Sequence, residues 1–185
     1  MFIFMPGEVI ALFTFPGVIL HEMAHKFFCD IGNVPVYVVH FFRPGDKTAG
    51  CVIHASANDV KKSYLIAIGP LLINSVVCML LLFPRSIVGL LETDFIGHSH
   101  STAYSILEWL GFSIGLHAIP SNQDMNEVIE LAGKNDNLSK SMAALVNLTV
   151  AAVYIFNTNY ISFFLKILYV LGISHLIPAL LLKFY

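Results

Sequence analysis

Five long apolar stretches constrain the fold of this chain more than any other feature of its sequence. They lie at 7–32, 64–83, 101–119, 141–156 and 161–182. A helix needs roughly 20 apolar residues to cross the hydrocarbon core of a bilayer. Hydrophobic residues make up 57% of the 185 residues and charged residues only 12%, too few to cover a water-soluble surface. The pattern predicts an all-α integral membrane protein, a single domain with about five transmembrane helices, the second of them closed by Pro84.

The connections between these stretches contain two shorter predicted elements. Residues 34–42 and 49–55 are rich in β-branched and aromatic residues, and the turn sequence Arg43-Pro44-Gly45-Asp46 separates them. This arrangement predicts a β-hairpin between the first and second helices. Residues 121–131 have the pattern of a short amphipathic helix, with Ser121 as its predicted N-cap.

Basic residues are distributed unevenly over the connections. With five spans, eight of the ten fall on one side of the membrane, and Arg85 and Lys166 fall on the other. The positive-inside rule then predicts a multi-pass protein with its N-terminus outside and its C-terminus in the cytosol. The net charge of −2 and the lack of a basic stripe argue against a nucleic-acid partner, which leaves the lipid bilayer as the predicted surrounding.

The first stretch contains the H-E-x-x-H motif, as His21-Glu22-Met23-Ala24-His25. Residues four apart lie on one face of a helix, so the two imidazoles can bind one Zn²⁺ ion at about 2.0–2.1 Å. Glu22 is rotated away from the ligand positions and can instead take a proton from a water molecule in the open coordination position. The alternative is a histidine pair that hydrogen-bonds backbone or lipid headgroups. Ionisable groups on an apolar helix favour the functional interpretation.

A catalytic zinc ion takes three protein ligands and keeps one position open, so a third ligand must come from elsewhere in the chain. By the predicted topology His25 lies at the cytosolic end of the first helix, and its partner must lie at similar depth. His117 and Asp124 satisfy this condition at the end of the third stretch. They are the leading candidates, followed by His54.

Two further motifs follow H-E-x-x-H in the chain. Gly69-Pro70-Leu71-Leu72-Ile73-Asn74 lies in the second stretch, and His117-Ala118-Ile119-Pro120 precedes Asp124. Together with the hairpin sequence Gly50-Cys51-Val52-Ile53-His54, this order resembles the site-2 protease family of intramembrane zinc metalloproteases. The resemblance covers residues 15–124 and is to a compact member without a PDZ or CBS domain. His117 stands where the family usually has asparagine.

The resemblance implies a catalytic core at 1–124 and accessory helices at 141–185. It implies one Zn²⁺ ion per chain, with His21, His25 and Asp124 as its ligands and His117 as the alternative third ligand. Glu22 would be the catalytic base. Asn74 would bind the substrate carbonyl or the oxyanion, and the hairpin with His54 would contact the substrate.

The implied reaction is hydrolysis of a peptide bond in a membrane-spanning protein substrate, near the cytosolic face. The alternative is a zinc-binding membrane protein without protease activity, either a degenerate regulator or a metal carrier. Ionisable residues are sparse through the predicted membrane depth, which makes a poor path for an ion and disfavours the carrier.

Overall fold

Helices form most of the chain, as predicted, and a two-stranded sheet is the other regular element of the described part. The computed structural model describes residues 7–45, 49–91, 102–157, 161–176 and 179–180. The elements, in chain order, are α1 (Gly7–Phe13), α2 (Phe15–Ile31), β1 (Val36–His40), β2 (Cys51–His54), α3 (Val60–Leu91), α4 (Thr102–Leu116), α5 (Asn126–Lys134), α6 (Lys140–Phe156), α7 (Ser162–Leu171) and a π-helical segment (Gly172–Leu176).

The first predicted helix is broken in two. Helices α1 and α2 meet at Thr14 with a bend of 92°. Pro16 lies in the first turn of α2, where its missing N–H is tolerated, but its ring disfavours a helix that continues from the preceding turn. The Thr14 hydroxyl donates to the Ile10 carbonyl at 2.6 Å. The prediction of one continuous helix over 7–32 was therefore wrong at this point.

Helix α3 lies at the centre of the fold and packs against both α2 and α4. A Cβ atom added at Gly69 would lie 2.5 Å from the Phe28 ring, so α2 and α3 cross closely only because this residue is glycine. The helix runs on through Pro84 to Leu91, which corrects the prediction that Pro84 closes it. Proline is tolerated inside long apolar helices when neighbouring groups satisfy the freed carbonyl.

The predicted hairpin is present next to α2. Strands β1 and β2 pair in antiparallel register, with Val36 opposite His54 and His40 opposite Cys51. Gly45 adopts a φ of 87°, which glycine accepts without strain and which allows the chain to reverse. Asp46, the last residue of the predicted turn, lies outside the described residues.

The turn between α4 and α5 is held at both ends by buried apolar residues. Leu116 belongs to a cluster with residues of α3 and α7, and Met125 belongs to one with residues of α3 and α6. Helix α5 begins at Asn126, and Ser121 does not cap it. Instead Ser121 exchanges hydrogen bonds with Asp124, so residues 121–125 form turns and not the predicted first helical turn.

Among the described residues, fewer helices than the predicted five have the length and hydropathy of a membrane span. Among the described residues, one helix segment, Val60–Phe83, is long and apolar enough to cross a membrane, and α1 and α2 pass the same test if the bent pair is counted as one span. The predicted helix at 141–156 is present as α6 but is short. The predicted helix at 161–182 begins as α7, and residues 177–178 and 181–182 lie outside the described part.

Candidate metal centre

Two imidazoles and a carboxylate meet between α2 and the turn after α4. Because His21 and His25 are one helical turn apart, their Nε2 atoms approach to 3.1 Å. The Oδ2 atom of Asp124 lies 3.7 Å from Nε2 of His21 and 3.6 Å from Nε2 of His25. In the described part of the chain, these three residues form the one His, Cys, Asp and Glu cluster with metal-binding geometry.

The three atoms have the spacing that a tetrahedral metal ion requires. Bonds of about 2.1 Å in a tetrahedron separate neighbouring ligand atoms by about 3.4 Å. A point equidistant from the two Nε2 atoms and Oδ2 lies about 2.0 Å from each in their plane. A metal ion slightly above that plane therefore fits without movement of the side chains. Two nitrogens and one oxygen form a donor set suited to Zn²⁺.

Backbone carbonyls orient both imidazoles. Nδ1 of His21 lies 2.6 Å from the carbonyl oxygen of His117, and Nδ1 of His25 lies 2.8 Å from that of Ile66. A carbonyl oxygen only accepts, so each Nδ1 donates its hydrogen. When Nε2 carries no proton, each ring would present a lone pair toward Asp124, the position that a metal ion would take. This outer-shell arrangement is typical of metal-binding histidines.

The turn that carries Asp124 also fixes its carboxylate. The backbone N–H of Ser121 donates to Oδ2 at 2.6 Å, and the N–H of Asp124 donates to the Ser121 hydroxyl at 3.2 Å. Burial acts to raise the pKa of the Asp124 carboxyl, but the neighbouring His21 and His25 outweigh it and hold the pKa below its usual range. The group is therefore ionised, as a metal ligand must be.

His117, the alternative third ligand, directs its ring elsewhere. Its Nε2 lies 2.7 Å from the Thr14 hydroxyl oxygen. Because that hydroxyl already donates to Ile10, the imidazole must donate to it and carries its proton on Nε2. What His117 brings to the centre is its backbone carbonyl, which orients His21. The structure thus brings Asp124, not the His117 ring, to the two histidines.

Glu22 lies beside the histidines and is 8% exposed. It lines a cavity of about 300 Å³ that also contains His21, His25 and Asp124. Gly50, just before β2, lies close to the Glu22 side chain: a Cβ atom added at Gly50 would lie 2.6 Å from Cγ of Glu22. The sequence prediction had no role for Gly50 on its own, although a single glycine beside a strand can indicate a close backbone approach.

Asn74 lies outside this cavity and is fully buried. Its Nδ2 lies 3.1 Å from the His117 carbonyl, the same oxygen that accepts from His21. Longer contacts of 3.4 Å join Nδ2 to the carbonyls of Gly17 and Ile114. This position differs from the expected one at the substrate carbonyl. Its Nδ2 supports the carbonyl that orients His21, while its Oδ1 is buried without a hydrogen-bond partner among the described residues. Asn74 does not line the cavity.

The cavity wall includes one expected and one unexpected polar residue. His54 lines it from β2, as the substrate-binding prediction requires, and its Nδ1 donates to the Ala55 carbonyl at 2.7 Å. Lys166 reaches the same cavity from α7. The charge distribution had predicted Lys166, near the start of an apolar helix, on the side of the membrane opposite to His25, whereas both residues line this cavity. Its isolation within that helix was the signal that could have marked it.

Comparison with family models, curated proteins and solved structures found no match to this chain. What supports a functional assignment is therefore the chemistry and geometry of the residues described above.

Proposed function

We propose that this protein is an intramembrane zinc metalloprotease that hydrolyses peptide bonds of membrane-spanning substrates. One observation carries the proposal. Three ligand atoms from His21, His25 and Asp124 have tetrahedral spacing, and Glu22 lines the same cavity. Three protein ligands with a fourth position left open are typical of a catalytic zinc site, whereas a structural site is closed by four.

The residues of the cavity have different roles in the proposed hydrolysis. When bound, a zinc ion supplies a Lewis acid that polarises the peptide carbonyl and makes water acidic. Glu22 takes the proton of the attacking water and passes it to the leaving amine. Its low exposure limits competing solvent, and Gly50 restricts its movement. His54 on β2 contacts the substrate near the scissile bond.

Strand β2 is the proposed docking site for the substrate backbone. Gly50, Cys51, Val52 and His54 line the same cavity as the metal ligands. A peptide bond is accessible to a protease only when the substrate helix has unwound. An unwound segment can pair with the strand beside the cavity, which provides backbone donors and acceptors at the correct place.

The proposal places this centre within a multi-pass membrane domain with a cytosolic C-terminus. Large apolar side chains point outward from several helices, among them Leu80, Leu148 and Leu168, each at least 63% exposed. Only 33% of the most apolar 18-residue stretch of Val60–Phe83 is buried within the protein. Apolar surface of this extent is stable against lipid and would associate in water. Helices α6 and α7 would be the accessory part of the domain.

Glu22→Gln tests the proposal directly. The protein is purified in detergent, reconstituted in nanodiscs and assayed for cleavage of a membrane-spanning peptide, and its zinc content is measured by mass spectrometry. We expect the variant to retain stoichiometric zinc and to lose cleavage, because Gln cannot accept the proton. Cleavage by Glu22→Gln at the wild-type rate would contradict the mechanism. Metal-free wild-type protein in a folded state would contradict the metal centre itself.

One observation favours a second candidate, a zinc-binding membrane protein without protease activity. The Asn74 amide is bonded to backbone carbonyls and is absent from the cavity lining, so it cannot stabilise an oxyanion in this arrangement. The same assay separates the two candidates. Stoichiometric zinc in wild-type protein that cleaves no membrane-spanning peptide would favour the second.

A further inference from the structure

Lys166 is a cationic group in the metal cavity for which the proposed reaction has no use. Its side chain comes from α7, whose other residues are mostly apolar, and it lines the cavity together with Asp124 and Glu22. Within the described residues, the Lys166 ammonium has no hydrogen-bond or ion-pair partner. An ionisable residue in an apolar helix is costly and is usually retained for a functional partner.

The neighbouring carboxylates are engaged with other groups. Oε1 of Glu127, at the edge of the cavity, accepts from the Ser56 hydroxyl at 2.7 Å and from the Ala57 N–H at 2.8 Å. Asp124 faces the two imidazoles and accepts from the Ser121 N–H. Glu22, the third carboxylate of the cavity, forms no ion pair with Lys166 either. Within the described residues the ammonium group is therefore without a counter-ion, and a half-buried cation is stabilised when a ligand provides one.

We propose that Lys166 binds a carboxylate group of the peptide that occupies the cavity. This inference rests on the proposed function, because a peptide lying across the metal centre is the ligand that brings such a group within reach. The carboxylate has two sources, an Asp or Glu side chain near the scissile bond or the C-terminal carboxylate of the peptide. Lys166 is thus a specificity-determining residue that selects acidic peptides, and it takes no part in proton transfer.

Peptide binding tests this inference independently of catalysis. The zinc-loaded Glu22→Gln protein in nanodiscs is titrated with three fluorescent apolar peptides of one sequence. The first has an internal Glu and an amidated end, the second an internal Gln and a free carboxylate, and the third an internal Gln and an amidated end. Titrations are repeated after adding Lys166→Gln, Lys166→Arg or Lys140→Gln, the last a matched control because Lys140 is exposed at the start of α6.

We expect Lys166→Gln to weaken binding of the first or the second peptide about 10- to 100-fold, as expected for a charge-assisted hydrogen bond, and to leave the third unchanged. The peptide that loses affinity identifies the source of the carboxylate. Lys166→Arg should retain most of the preference, and Lys140→Gln all of it. Equal weakening of all three peptides, no weakening of any, or no carboxylate preference in the parent protein would overturn the inference. Failure of the proposed function would be seen differently: the binding titrations would still show the carboxylate preference, but the wild-type protein would not cleave the peptides.

Discussion

Under the proposed function, the contact between Gly50 and Glu22 predicts that one added methyl group will slow peptide cleavage without removing zinc. In Gly50→Ala the new Cβ would lie 2.6 Å from Cγ and 3.0 Å from Oε1 of Glu22, and also 3.0 Å from the Phe41 carbonyl. Ordinary contact begins at 3.4 Å, so Glu22 or the strand must move by about 0.8 Å. The Phe41 backbone restricts movement of the strand, so Glu22 should take up most of the shift.

A displacement of about 1 Å in a catalytic group costs roughly 100-fold in rate. We therefore expect kcat for a membrane-spanning peptide to fall by about this factor in Gly50→Ala. Zinc content should stay stoichiometric, because Glu22 is not a ligand. The overpacking should lower the free energy of unfolding by about 1–3 kcal/mol. Both values follow from the close approach of the chain at Gly50 to Glu22, the proposed catalytic base.

Gly133→Ala is the matched control, since no atom lies within 4 Å of the added Cβ in α5. Removal of a helical glycine there should leave kcat unchanged and stabilise the fold by about 0.5–1 kcal/mol. The measurements are initial rates of peptide cleavage, zinc by mass spectrometry and thermal unfolding in detergent. Wild-type kcat in a folded, zinc-loaded Gly50→Ala variant would refute the reasoning about Glu22.

Three other predictions concern the metal centre. Asp124→Ala should lower zinc affinity at least about 100-fold, because it removes a candidate ligand. His117→Ala should lower it less than about 10-fold, because His117 contributes its backbone carbonyl, which the substitution keeps. Competition with a fluorescent chelator measures both affinities. Asn74→Leu should destabilise the fold by about 1–3 kcal/mol and weaken zinc binding about 10- to 100-fold, because the His117 carbonyl that orients His21 loses its bond to Asn74. Thermal unfolding and the same competition assay measure both effects, and unchanged values would contradict this role of Asn74. The affinity for zinc should fall as the pH drops below about 6.5, where protons compete for the imidazoles, while Asp124, with its lowered pKa, stays ionised. An affinity measured from about pH 7.5 to about pH 3.5 that stays constant down to the usual carboxyl pKa would contradict this order.

The part of the site that could be predicted from sequence is the part that depends on local periodicity. The positions of His21, Glu22 and His25 on one turn of helix follow from 3.6 residues per turn, whatever surrounds the helix. The hairpin was predictable for a similar reason, since β-branched runs around a turn sequence need only each other to pair.

The third ligand could not be chosen in this way. His117 and Asp124 are seven residues apart in one irregular segment, and both were compatible with the predicted depth in the membrane. The choice follows from the turn after α4, where Ser121 holds the Asp124 carboxylate toward the imidazoles and Thr14 holds the His117 ring away. The second contact joins residues 103 positions apart, and no local pattern encodes it.

The sequence by itself determined the apolar helices, the hairpin and the two histidines with their neighbouring carboxylate, because each depends on residues close together in the chain. Only the tertiary structure decided the bend at Thr14, the choice of Asp124 as candidate third ligand, the position of Asn74 outside the cavity and the approach of Gly50 to Glu22. The reason is that close packing between distant segments selects one arrangement of side chains from several that the local sequence permits.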